Sequence, residues 1–234
     1  MGNAEHISKQ FETDLDTTRT RVLQMGGLVE EQIIRAMEAL AAGDMPQIDK
    51  VIADDHRVNA MEVELDELCS HIIARRQPAA VDLRLLITVI KTITDLERIG
   101  DEAEKIGRMA KLIHTAERQH MPRMDLSPVA ERALVMLRQS LDAFARLDVS
   151  EAMRVVKQDH EVDDAFRAIM RQLITFMMED PRTITRSLEI LFIAKAIERI
   201  GDHAKNMAEY VIYMVKGRDV RHTSIEEVEK EILQ

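Results

Sequence analysis

Apolar residues recur every three or four positions along nearly the whole chain, the spacing that gives a helix one apolar stripe. The pattern begins near His6 and runs to Ala42, with Gly26-Gly27 placed to bend it. Gly43-Asp44-Met45-Pro46 reads as a stop and a restart, with Gly just past one helix and Pro at the start of the next. A second helix is predicted from Pro46 to Arg76, ended by Gln77-Pro78, and a third from Pro78 to about Arg118. The stretch from Met121 to Pro128 is the most loop-like in the chain. Beyond it the pattern predicts helices from Pro128 to Arg146, from the turn holding Asp148 and Ser150 to Met178 or Glu179, and from beyond Asp180-Pro181 to Lys216-Gly217. Arg218 to Gln234 is polar, and Ser224 with Glu227 three residues on has the form of a capping box, which predicts a short helix from Ser224 to Leu233.

The two halves repeat one another. Glu97-Arg98-Ile99-Gly100-Asp101 returns as Glu198-Arg199-Ile200-Gly201-Asp202, and Asp55-His56-Arg57-Val58-Asn59 matches Asp159-His160-Glu161-Val162-Asp163. Asp44 then falls opposite Asp148, and Val51-Ile52 opposite Val155-Val156. A repeat near 100 residues is too long for a solenoid unit. The expected fold is all-α: two tandem three-helix bundles related by internal duplication, over residues 1–122 and 123–217, with a short C-terminal helix in a polar tail, 218–234.

Composition agrees with helices. Gly (8) and Pro (5) are few, aromatics are 3% and Trp is absent, which leaves little for strands. The formal net charge is −10, and no Lys/Arg cluster offers the basic face that a phosphate backbone needs, so nucleic acid is excluded as a direct partner. One cysteine, Cys69, cannot pair within the chain and suits a reducing compartment. No apolar run approaches the roughly 18 residues of a membrane span. The N-terminal residues lack the apolar core of a signal peptide. These features predict a cytoplasmic, soluble protein.

The doubled pentapeptide carries the candidate chemistry. On a helix, residues four apart share a face, so each copy stacks two carboxylates, which repel unless a proton or cation compensates them. Counting outward from the Pro turn of each half, Glu198 and Asp163 both lie 17 residues away, and Asp202 and Asp159 both lie 21 away. In the first half Glu97 and Asn59 lie 19 and 18 away, and Asp101 and Asp55 lie 23 and 22 away. Facing helices therefore bring four carboxylates to one level in the second half, and three plus an amide in the first. Carboxylates at the edge of a buried stripe need compensation, and an all-oxygen set suits a hard cation such as Mn, Mg, Ca or Fe. The solvated helix surface is the competing account, since Arg98 and Arg199 follow the glutamates. Gly100 and Gly201 would let a neighbouring helix or an ion come close. His56, His160 and His203 adjoin the acids but point about 100° away from them, as surface or supporting residues. The Met residues fit core gaps, and Cys69 a quiet position on the second helix. Nothing matches a phosphate loop, a nucleotide-binding glycine turn or a Ser-His-Asp order.

These residues resemble the phosphate-uptake regulator family, PhoU. The resemblance rests on Arg76-Gln77-Pro78-Ala79-Ala80-Val81-Asp82-Leu83-Arg84, on Leu96 to Asp101, and on Ile197 to Asn206, and spans nearly the whole chain. It implies two tandem three-helix bundles and a non-enzymatic negative regulator of phosphate uptake and of the phosphate-starvation response. It implies as partners the ATPase of a phosphate ABC transporter and a sensor histidine kinase, membrane contact only through those partners, and a homodimer. It also implies iron or zinc held by Glu/Asp-x-x-x-Asp pairs, here Glu97 with Asp101, Glu198 with Asp202, and Asp159 with Asp163. Asp55 with Asn59 departs from the acidic pattern, so the firmer site is expected at Glu198 and Asp202. Pro181-Arg182-Thr183 also departs from the fuller Pro-Ala-Ala-Val-Asp-Leu-Arg form of the first half. The alternative class is a dimetal carboxylate bundle enzyme or a metal store. Such bundles take Glu-x-x-His from two helices, and Glu117 to His120 has no mate.

Overall fold

In the computed structural model, described for residues 2–115, 122–221, 223 and 227, the described residues form seven α-helices and no strand. They are α1 (Gly2–Ala42), α2 (Met45–Asp54), α3 (His56–Arg76), α4 (Ala80–Thr115), α5 (Ser127–Arg146), α6 (Val149–Glu179) and α7 (Ile184–Lys216). A single 3-10 turn, Pro181–Thr183, links α6 to α7.

The duplication is legible in the caps. Asp44 and Asp148 both sit in extended backbone and accept from the amides that open α2 and α6: Gln47 N at 3.2 Å, and Ser150 N and Glu151 N at 2.9 and 3.0 Å. The residue before each, Gly43 and Leu147, takes the left-handed conformation (φ +69° and +57°) that ends the preceding helix. Asp180 accepts from Arg182 N and starts the turn into α7, and Gly217 (φ +74°) ends α7.

Two expectations change. The segment from Pro46 to Arg76 is not one helix: it breaks at Asp55, where Val58 N bonds back only three residues to Asp55 O at 2.9 Å. Gly26-Gly27 does not bend α1, which is one helix over its 41 residues. Gly26 serves contact between the halves instead. A Cβ there would fall 2.5 Å from Leu141 Cδ2, so its absence lets α1 lie against α5. The helix predicted from Ser224 to Leu233 lies outside the described residues, as do Glu117 and His120.

Helices α1, α2/α3 and α4 form one three-helix bundle, with α2 and α3 sharing one position, and α5, α6 and α7 form the other. The bundles join along α4 and α7, the most extensive helix pair in the molecule, with α1 also meeting α5. The pair is antiparallel: Arg84 reaches Met214 O, Asp95 meets His203, Glu102 meets Arg199, and Arg186 reaches Leu112 O. Buried apolar side chains from both halves merge into one core, from Leu65 and Ile99 to Phe144 and Ile197. Each fully buried Leu, Ile or Phe side chain contributes about 1.5–3 kcal/mol relative to exposure. That core fixes which helix faces remain for polar chemistry. They are the flanks of α4 and α7, where the two signatures lie.

Candidate metal centres

The second signature meets α6. Glu198 is 9% exposed, Asp202 is half-buried, and with Asp163 they bring three carboxylate oxygens within 4.8 Å of one another. Asp159, expected in the same set, is drawn away to Lys205 Nζ at 2.6 Å. Burial works against charge on Lys205, but the bond to Asp159 together with the negative charges of Asp159, Glu209 and Asp202 outweighs it, raising its pKa. Lys195 pairs with Glu198 from one turn before, and Arg167 Nη2 lies 3.7 Å from Asp163. The order Lys195, Glu198, Asp202, Lys205 thus sets a cation at each end of the acidic pair.

Negative charge remains in excess at the triad. Burial, then Glu198 and Asp159, push the Asp202 carboxyl up to about 6, with Lys195 opposing. A carboxylate so crowded gains from a proton or a cation. The three oxygens are the hard, anionic donors that Mn, Mg, Ca or Fe would take, with the remaining positions left to water or a partner.

The first signature is arranged differently. Asp55 is 8% exposed at the α2/α3 break, and both its oxygens are engaged. Gln32 Nε2 donates to Oδ1 at 3.2 Å, and Asn59 Nδ2 donates to Oδ2 at 3.2 Å. Asn59 therefore acts as a donor to Asp55 in the present arrangement. Glu97 is half-buried and Asp101 exposed. Both carboxyls are raised, Glu97 by burial and then by Asp101, Glu62 and Asp55, and Asp101 by burial and then by Asp55, Glu104 and Glu102. Among the described residues the acids of this half do not close into a group as tight as the triad. Where the second copy has Lys195 and Lys205, the first has Thr94 and Glu104.

The signature glycines serve helix packing. A Cβ on Gly201 would stand 3.4 Å from Val162 Cγ1 of α6. On Gly100 it would stand 3.3 Å from Val58 Cγ1 and 3.4 Å from both Asp55 Oδ1 and Gln32 Oε1. In both halves the acid-bearing helices approach closely at the height of the acids.

His203 points away from the acids, as expected, but it does not lie on the surface. It is 7% exposed and faces α4, where its Nδ1 lies 2.7 Å from Asp95 Oδ1. Asp95, 1% exposed, also accepts from Asn206 Nδ2 at 3.5 Å and from the Tyr210 hydroxyl. One step along, Arg199 Nη1 meets Glu102 at 2.5 Å, and Lys105 meets Glu102 at 3.3 Å. Lys91 stands over the Tyr210 and Tyr213 rings, 5.3 and 5.4 Å from their centroids. This polar seam was missed in the sequence, although it left a signal. Thr88, Asp95 and Glu102 recur every seven residues on α4, as His203 and Tyr210 do on α7. His56 and His160 are exposed, each bonded through Nδ1 to the carbonyl three residues back. Cys69 is buried, and burial pushes its thiol up to about 12. Among the described residues no helix is long and apolar enough to cross a membrane.

Comparison with known proteins places this geometry. The PhoU domain family matches the chain twice, over residues 22–110 and 126–211. The chain is 48% identical over 227 residues to the phosphate-specific transport system accessory protein PhoU of Serratia marcescens, covering 97% of this chain and 93% of that protein. It is 47% identical to the protein of the same name from Escherichia coli, with the same coverage. The crystal structure of PhoU from Pseudomonas aeruginosa superposes with a TM-score of 0.85 at 44% identity, covering 89% of this chain and all of that one. That of the phosphate transport system regulatory protein PhoU from Streptococcus pneumoniae gives 0.83 at 27% identity, over 90% and 99% of the two chains.

Proposed function

The chain belongs to the PhoU family, and on that premise we propose that it is a cytoplasmic negative regulator of phosphate uptake and of the phosphate-starvation response. It acts as an adaptor between the ATPase of a phosphate ABC transporter and a sensor histidine kinase, as a homodimer that reaches the membrane through those partners. It carries no catalytic step of its own. The unit of action is the tandem pair, 1–122 and 123–217, with 218–234 as a tail. Relatives that share nearly its whole length are accessory proteins of phosphate-specific transport.

Metal binding is the second part of the proposal. The observation that carries it is the triad Asp163, Glu198 and Asp202, closed to within 4.8 Å and short of positive charge. Asp159 joins only if Lys205 lets go. Glu97, Asp101, Asp55 and Asn59 form a looser counterpart. Fe, Zn, Mn and Mg are the candidates, and the all-oxygen donor set ranks Mn, Mg and Fe above Zn.

Membrane pull-down with the tagged chain should enrich the transporter ATPase or the sensor kinase. Deleting the gene should derepress phosphate-responsive transcription when phosphate is plentiful. The absence of both enrichment and derepression would overturn the regulatory reading. Elemental analysis after chelator-free purification tests the metal. The expected result is about one ion per chain, lost in Asp202→Asn.

A further inference from the structure

The signature sets two kinds of residue side by side. On α7, Glu198 and Asp202 turn toward α6 and the triad. The residues that follow them turn toward α4: Arg199 to Glu102 at 2.5 Å, and His203 to Asp95 at 2.7 Å. On α4 the pattern is returned. Glu102 follows Asp101, and Arg98, which follows Glu97, lies 3.8 Å from Asp95 Oδ1. The Arg199 charge also reaches Asp101 itself.

We propose that a cation entering the triad is sensed in the first repeat. The turn of α7 that holds two of its ligands also holds Arg199 and His203 of the α4/α7 seam. The inference rests on the metal reading above and adds its regulation. The triad oxygens lie within 4.8 Å of one another. Around an ion with bonds of roughly 2.1–2.4 Å, neighbouring oxygens stand about 3 Å apart. Drawing the oxygens to that spacing around one ion pulls Glu198 and Asp202 toward Asp163. Because a helix is stiff, Arg199 and His203, about 100° round it, swing with them.

The seam can respond to such a shift. His203 Nε2 and the Thr88 and Thr92 Oγ1 atoms are buried without a hydrogen-bond partner. Thr88 lies seven residues before Asp95, two turns along the same face. Buried polar atoms left unpaired are rare, and these three gain if a displacement of the seam brings them a partner. Packed interfaces move between discrete arrangements rather than deforming smoothly. The coupling then runs both ways: whatever the ion does to the seam, the seam does to the ion.

Hydrogen exchange on the full chain, with and without Mn2+, tests this. It is run on the parent and on Glu97→Gln/Asp101→Asn, which removes ligands of the first repeat. The expected result is that saturating Mn2+ slows exchange of α4 amides around residues 95–103 at least fivefold in both. Reciprocally, Glu102→Gln and Asp95→Asn, neither of which alters a triad residue, should weaken Mn2+ binding at least fivefold, about the lower edge of measured couplings. Suppose Mn2+ saturates the triad while α4 exchange stays unchanged and both seam variants bind like the parent. The seam is then a passive joint and the proposal falls, with the metal reading intact. If the parent takes no Mn2+, and Asp202→Asn is indistinguishable from it, the metal reading and this proposal fall together.

Discussion

Replacing Asp202 by Asn should stabilise the metal-free protein at neutral pH, although it removes a charge beside two lysines. Asp202 titrates near 6 in the folded chain against an ordinary 3.8, because of burial and then Glu198 and Asp159. The folded protein therefore holds a proton that the unfolded chain has released between these values. The stabilisation from that proton is complete below about pH 3.8 and is lost as pH rises through about 6. Above that, the ionised carboxylate burdens the fold. Two pH units at about 1.4 kcal/mol each set a ceiling near 3 kcal/mol. Because Asp202 is only half-buried and solvent screens part of the effect, about 1–3 kcal/mol is the expected gain. Urea unfolding in EDTA measures it as the difference between variant and parent at pH 7.5 and at pH 3.8. The difference should be large at the first and close to zero at the second. A variant no more stable than the parent at pH 7.5, or a gain of equal size at both pH values, refutes the reasoning.

Other outcomes follow from the same contacts. Gly201→Ala has only ordinary contact with Val162 to accommodate and gains helix propensity, so thermal unfolding should show a change between zero and about 1 kcal/mol of stabilisation. Gly100→Ala presses on Val58 at 3.3 Å, with Asp55 and Gln32 at 3.4 Å behind it, and should be less stable than Gly201→Ala by about 1 kcal/mol. Leu65→Ala, at a fully buried site, should cost about 2–5 kcal/mol in denaturant unfolding. Cys69, buried and with its thiol held up to about 12, should react with a thiol reagent only as fast as the protein opens, so unfolding in urea should release a rapid phase of one equivalent.

Much of this architecture could be read from residue order. Gly43-Asp44 and Asp180-Pro181 named their own turns, and the repeat placed Asp148 opposite Asp44 before either was seen as a cap. The break at Asp55 was not legible, because no Gly or Pro marks it and its backbone stays helical (φ −57°, ψ −36°). The acidic pairs followed from the four-residue spacing. Which of them close up depended on the reach of lysine side chains: Lys205 takes Asp159, whereas Glu104 in the matching place of the first half takes nothing from Asp55. His203 points away from the acids, as one step along a helix requires. Its destination, the α4 face, depended on how the two bundles meet, and periodicity within one helix carries no information about that.

The polar seam also bears on how the chain survives its own synthesis. Helix α4 ends at Thr115 and α7 at Lys216, so about 100 residues of translation separate them. At roughly 5–20 residues per second, the α7-facing side of α4 waits for some 5–20 s with no partner. An unbroken strip of Leu and Ile there would adhere to any neighbouring nascent chain. Thr88, Asp95 and Glu102 keep that side wettable until α7 emerges, and the cation and imidazole that α7 delivers then make it a joint.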